Sequence, residues 1–316
     1  MSTGKGVMAE CGISTPASWG ADWAAVSAAL PFDEESISET IEWLEDNALE
    51  GKASRRAPDS GLIKVAGLLK GDLDYYNWGS MIKAAMGAES SEVYTFADEL
   101  EEIRRIEFEK QISRWRIDSF KVEQMIISGE KGKSLQIEFD LAGRMASRSS
   151  TAFPDISISS RSRVKFSTSS TDSLIRIGNQ DDALAAGDAV GWESFKFTIK
   201  NNLKADDFTN ESVYALEPFR NGKRDVSLEI NIPRYENDTY IDWQNNKTKL
   251  QADLYFTDGS KTFKLEIPEM LILSGFDANI PAGGGLIVQQ GTFGCYRNLA
   301  NTPMTAINDE ARITIT

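Results

Sequence analysis

The sequence predicts a mainly β protein built from two copies of one strand–helix unit, on three observations. In Gly61–Gly87, Ile63, Val65, Gly67, Leu69, Gly71 and Leu73 alternate with Lys64, Ala66, Lys70 and Asp72, the period of a half-covered strand. The period then changes, with Tyr75, Trp78, Ile82, Ala85 and Met86 at helical spacing and Gly87 where a left-handed C-terminal residue is wanted. About 160 residues later the arrangement returns, an internal repeat: Val226, Leu228, Ile230 and Ile232 alternate with Asp225, Ser227, Glu229 and Asn231, and Arg234–Asn246 offers Tyr240 and Trp243 as a poorer helical stripe. A further strand candidate precedes each unit, SISETIEWL in the first and ESFKFTIKN in the second. The repeat divides the chain into residues 1–148, with an N-terminal arm, and 149–316, with a C-terminal tail.

Taken in order, residues 1–31 read as an arm of small residues with Trp19 and Trp23, able to close over another element or a neighbouring subunit. The Ser36–Leu44 strand is separated from the Gly61 strand by a polar loop in which Lys52, Arg55 and Arg56 cluster. Asp74 or Asn77 can cap the first helix, and Gly79 inside it costs about 1 kcal/mol against alanine, so tertiary packing must support it. The charged stretch Glu89–Lys110 fits either helix or strand. Beyond it, Ile112–Ile127 and Lys133–Ala146 read as strands around the turn SGEKGK, with Leu135, Ile137, Phe139 and Leu141 alternating. The Ser/Thr/Arg-rich run Ser147–Ser173 forms the seam, and VKFST and SLIRIG follow as short strands. The second copy has a still longer loop carrying Asp206, Asp207 and Glu211. It closes with a hairpin at Asp258-Gly259, a strand ended or edged by Pro268, the strand in GGGLIVQQGTFGC, and RITIT as an added strand.

Composition narrows the chemistry. The chain has 316 residues and no histidine, which excludes Ser-His-Asp and Cys-His catalysis, His-ligated zinc and imidazole switching. Cys11 and Cys295 form neither a short-spaced metal pair nor a disulfide framework, a reducing compartment of synthesis fits, and the sequons at Asn210, Asn237 and Asn246 carry no expected glycan. No signal-peptide pattern or membrane-length apolar run is present, so neither export by that route nor a membrane partner is expected. A net charge of −14 spread along the chain argues against tight nucleic-acid binding but allows DNA to slide past.

Candidate chemical sites weigh poorly against simpler readings. Asp72 and Asp74 with Tyr75, Tyr76 and Trp78 have the residue types of a glycosidase pair on a sugar platform, yet equally those of a cap beside a core aromatic. Gly178–Asp188 lacks calcium-loop spacing, and Gly283–Gly285 lacks the lysine and strand-to-helix context of a phosphate loop. No cofactor or metal is expected, and no enzymatic activity. Opposite charge on the Lys52, Arg55, Arg56 loop and on its Asp206, Asp207, Glu211 counterpart suits docking against a neighbour.

The order SISETIEWL, long loop, GLIKVAGLLKGDLDYYNWGSMIKAAMG and the strand pair ending LQIEFDLAGR resembles the tail tube proteins of long-tailed, siphovirus-like bacteriophages, in a duplicated form. ESFKFTIKNNL, NGKRDVSLEINIPRYENDTYIDWQNN and the strands ending GGGLIVQQGTFGC repeat the theme. The resemblance covers roughly residues 30–145 and 160–295 and is one of pattern more than of invariant motifs. It implies a β-sandwich or barrel with a flanking helix in each module, and rings of six modules stacked into a conduit for the genome. It also implies long loops that reach the adjacent ring. With two modules per chain the ring is a trimer with pseudo-sixfold symmetry; with one it is a hexamer. Ser38, Thr40, Glu42, Asp72, Asp225 and Glu229 would face the channel, mixed with Lys64 and Lys70. Closing into a ring also removes the exposed strand edges that each module leaves. Implied partners are other copies of the chain, the tail terminator, the tail tip proteins, the tape measure protein in the lumen, and viral DNA passing without specific binding. The product would be made in the host bacterial cytoplasm and reside in the virion. A carbohydrate-binding or adhesin-like β-sandwich with surface Trp and Tyr is the competing reading.

Overall fold

A computed structural model describes residues 9–45, 57–158, 160–180, 182–210, 212–277, 279–280, 285–298, 307 and 309–316. The first half contains β1 (Glu10–Ser14), β2 (Ala28–Ala29), β3 (Glu34–Glu35), β4 (Ser38–Leu44), β5 (Asp59–Asp72) and α1 (Gly79–Met86). It continues with β6 (Gly87–Ser90), β7 (Val93–Phe96), β8 (Arg104–Glu109), β9 (Arg114–Glu130), β10 (Gln136–Gly143) and β11 (Ala146–Ser149). The second half contains β12 (Ser173–Asn179), β13 (Ser194–Lys200), β14 (Leu203–Lys204), β15 (Phe219–Arg220), β16 (Asp225–Ile232) and α2 (Thr239–Asn246). It ends with β17 (Leu250–Thr257), β18 (Thr262–Gly275), β19 (Gln289–Cys295) and β20 (Arg312–Ile315). The fold is mainly β, and the paired strands are antiparallel.

The two halves make the same pairings. In the first, β5 lies between β4 and β10, β10 pairs with β9, β9 with β8 and β11, and β8 with β1. In the second, β16 lies between β13 and β19, β19 pairs with β18, β18 with β17 and β20, and β17 with β12. Even the irregularities coincide. The register slips in the β8–β9 ladder between Arg104 and Ile106, and in the β17–β18 ladder between Leu250 and Ala252. A second slip passes over Glu123 in β9 and Leu273 in β18. Bulges of this kind bend a strand, so each of these long strands pairs with different neighbours along its two halves. Pro268, expected at a strand end or edge, sits inside β18 because the first slip leaves it opposite no ladder residue.

Each half carries one short helix. Gly87 adopts φ +100° and closes α1, as its position in the sequence predicted. The helix starts later than the apolar spacing suggested: Tyr75 and Trp78 precede it, and Gly79 is its first residue. There a Cβ would meet the Tyr94 hydroxyl at 2.3 Å, so the glycine answers to a close approach. Trp78 is fully buried, stacks on Phe139 at 5.7 Å and donates from Nε1 to the Asp72 carbonyl at 2.8 Å. Asp74 accepts from the amides of Tyr76 and Asn77, both at 2.8 Å, capping the turn ahead of the helix. Glu89–Lys110, open between helix and strand, forms β6, β7 and β8. Of the two short strands expected after the seam, SLIRIG lies in β12, whereas Lys165 in VKFST makes only an isolated bridge.

The arm closes over its own half of the chain within the described residues. β1 pairs with β8, and the buried Arg105 guanidinium donates to the carbonyls of Ala21, Asp22 and Ala24 while stacking near Trp23. Burial lowers the Arg105 pKa, with the Asp118 carboxylate opposing that shift.

Candidate functional site

Among the described residues, two strand ladders join the halves. The outer one pairs β20 with β7. The other pairs β13 with the far half of β9, Ser194 opposite Glu130 through Lys200 opposite Gln124. One sheet therefore runs β4-β5-β10-β9-β13-β16-β19-β18. One of its faces is apolar and buried, with Leu69, Phe139, Ile127, Phe197, Leu228 and Phe293 in a single core. The opposite face is polar.

Register sets which residues share that polar face, because directly opposed residues point the same way. One row reads Asp72, Gln136, Ser128, Lys196 and Glu229. A second reads Asp140, Gln124, Lys200 and Asp225, and a third reads Glu34, Lys70 and Glu138. Ser38 stands opposite Ala66, and Thr40 opposite Lys64. Five of the six residues expected to face a channel, Ser38, Thr40, Asp72, Asp225 and Glu229, thus lie on one face. Glu42 falls at a register slip in the β4–β5 hairpin. Glu138, Asp140, Lys196 and Lys200 belong to the face and were not singled out from the sequence, although the clean alternation of Ile137, Phe139 and Leu141 implied the first two.

Carboxylates and lysines interleave here. Glu229 pairs with Lys196 at 3.6 Å. Asp72 is engaged by Arg163 at 2.9 Å and by Gln136, so the seam is tied to the end of β5. Burial raises the pKa of Glu123, although its side chain accepts the Leu203 amide at 2.9 Å; burial likewise raises that of Asp140. A raised carboxylate binds protons more readily in the folded chain, so its contribution falls as pH rises from the unfolded carboxylate value, about 4.3, through the folded one. Glu123→Gln, whose carbonyl can still accept from Leu203, is therefore expected to be more stable than the parent at neutral pH. The difference should close below about pH 4. Urea melts of both proteins across pH read this, and a parent that gains relative stability on the alkaline side would reverse the sign.

The long loops are counterparts. The β4–β5 hairpin encloses one and the β14–β15 hairpin the other. Lys52, Arg55, Arg56 and Glu211 lie outside the described residues. Asp207 pairs with Lys204 at 2.5 Å, and Asp206 lines a cleft with Lys64 and Ala142. The second loop rests on the first half: the Ile63 amide donates to the Val213 carbonyl at 2.9 Å, and the Trp19 indole donates to Ala215 at 3.2 Å.

The aromatic platform that a sugar-binding reading needs is not formed at Asp72–Trp78. Trp78 and Tyr75 are buried and only Tyr76 is exposed, since the two rings fill the core beneath β5. The two carboxylates are occupied as well, Asp72 by the seam and Asp74 by the turn it caps. Among the described residues there is no cluster of His, Cys, Asp and Glu able to hold a metal, and no helix long and apolar enough to cross a membrane.

A search of curated proteins finds no match to the chain. A family model described as phage tail tube protein matches residues 4–295. That span takes in both strand–helix units, both long loops and the β9–β13 junction, and the chain belongs to the phage tail tube protein family.

Proposed function

We propose that the chain is a ring-forming subunit of the tail tube, with modules 1–148 and 149–316 side by side and three copies closing a pseudo-sixfold ring. The β9–β13 pairing carries this reading, because it is a junction between modules already made inside one chain. Among the described residues, the counterparts of its two edges have no second strand: β4 pairs only with β5, and the end of β18 only with β19. Ser274 and Gly275 at the end of β18 are the strand counterparts of Gln124 and Met125; setting β4 of one copy against them in the next follows the order of the internal junction, and repetition of a head-to-tail contact closes a ring. If the halves acted as one module, six copies would be needed.

The polar face would then line the channel. Its carboxylates outnumber its lysines, so phosphate is mildly repelled; the effect reaches about 8 Å at physiological salt and acts near the wall. DNA passes through without specific binding. The Lys52, Arg55, Arg56 loop and the Asp206, Asp207, Glu211 loop would meet across stacked rings. The protein has a structural role without catalysis, is made in the host bacterial cytoplasm and is assembled into the virion. There it meets the tail terminator, the tail tip and the tape measure protein in the lumen.

Negative-stain images of the concentrated protein test the reading. Stacked annuli with three copies per ring are expected, whereas compact monomers under every condition would overturn it. Reversing charge at Arg55 and Arg56 should shorten the tubes while leaving single rings, and unchanged tube length would remove the loops from stacking.

A further inference from the structure

We infer that a cavity at the end of the second module is the receptor for Ile41 and Trp43 of another copy, an apolar plug that locks each subunit to the next. The inference rests on the ring reading and gives it a specific contact. The cavity, about 670 Å³, has an apolar side with Val226, Leu273, Gly294 and Tyr296 and a charged side with Arg220, Lys223, Arg224, Asp225, Arg297 and Glu310. Leu273 is 55% exposed and Tyr296 39%.

Its occupant follows from the repeat. Ser227 stands opposite Gly294 as Ala66 stands opposite Ala142, so the same site exists in the first module. There Val65, Ala66, Ala142 and Gly143 line a cleft whose far wall is Leu203–Asp206, the chain leaving β13. That wall is held at the bulge in β9: the Asn201 amide donates to the Glu123 carbonyl at 2.8 Å, and the Leu203 amide to the Glu123 carboxylate at 2.9 Å. The second module has the bulge, with Leu273 in the place of Glu123, but among the described residues no further strand pairs there to build the wall. Thr40 opposite Lys64 matches Lys200 opposite Asp225, so the missing wall corresponds to Ile41 and Trp43 on β4.

The chemistry changes in step on both sides. Inside the chain the contact is polar at its root: Asn201 is fully buried and donates to Ala85 and Val122, and Glu123 takes the Leu203 amide. Between copies the matching residues are Ile41 for Asn201, Trp43 for Leu203 and Leu273 for Glu123. Two of the three changes put an apolar side chain in the place of a polar one and the third enlarges a leucine to an indole, and Trp43 stands 56% exposed in the single chain. A contact that must form from separate subunits draws its stability from buried apolar area and aromatic anchors. Lys223, exposed on the cavity rim, is opposite in charge to Glu42, which lies between Ile41 and Trp43.

Placing the photo-crosslinker p-benzoylphenylalanine at position 43 of the full-length chain and irradiating assembled rings tests the contact. Cross-links between copies to peptides containing Leu273 or Gly294–Tyr296 are expected. Intact rings whose cross-links map elsewhere would overturn the plug and leave the ring reading standing, while a parent protein that forms no rings would sink the ring reading itself. Trp43→Ala should raise the protein concentration needed for ring formation at least about tenfold with the melting of the monomer unchanged. Assembly at the parent concentration would count against the plug.

Discussion

Trp78→Ala is expected to lower folding stability by about 3–5 kcal/mol. The indole is fully buried under β5, stacked on Phe139, and its Nε1 holds the carbonyl of Asp72 at the strand end. Removal opens a cavity between α1 and the sheet and leaves the carbonyl without its donor. The neighbours cannot close in, because Gly71 already brings the backbone against the ring: a Cβ there would meet Trp78 Cζ2 at 2.7 Å. Denaturant unfolding followed by circular dichroism measures the loss, and a change below about 1 kcal/mol would mean that the site relaxes or that the helix is not seated on this ring.

Ile41→Pro should abolish ring formation in a chain that still folds. Along β4 the residues bonded to β5 alternate with residues whose backbone groups face away. The Ser36 amide reaches the Leu68 carbonyl at 2.9 Å, which sets the parity and leaves the amides of Glu39 and Ile41 outward. The counterpart of Ile41 shows the use of such an outward amide: Asn201 donates it to Glu123 across the internal junction. Proline removes that donor and places its ring against the approaching strand without breaking the β4–β5 ladder. Size-exclusion chromatography should then find monomers with near-parent melting behaviour. Rings formed as readily as by the parent would show that β4 is not the edge that pairs.

The legible parts of the fold were those written locally. Alternation in Ile63–Leu73 and Val226–Ile232, and Gly87 as a helix stop, each depend on residues a few positions apart. Glu89–Lys110 stayed ambiguous because its charges mask the pattern: Arg104, Arg105 and Glu107 are buried in β8, held by Glu102, by arm carbonyls and by Arg114 and Arg116. A buried charge reads as solvent-facing until its partner is known. Asn201, polar and fully buried, escaped notice because its partners Ala85 and Val122 are distant in sequence.

By itself the sequence determined a mainly β chain, two strand–helix units with matching long loops, the exclusion of histidine chemistry and a tail tube resemblance. All of these follow from side-chain period, composition and the recurrence of a pattern. Only the tertiary structure decided that β13 lies against β9, which edges have no second strand among the described residues, and which charges share the polar face. Strand pairing is made between residues far apart in the chain, and the apolar alternation that identifies a strand is the same whichever neighbour it joins.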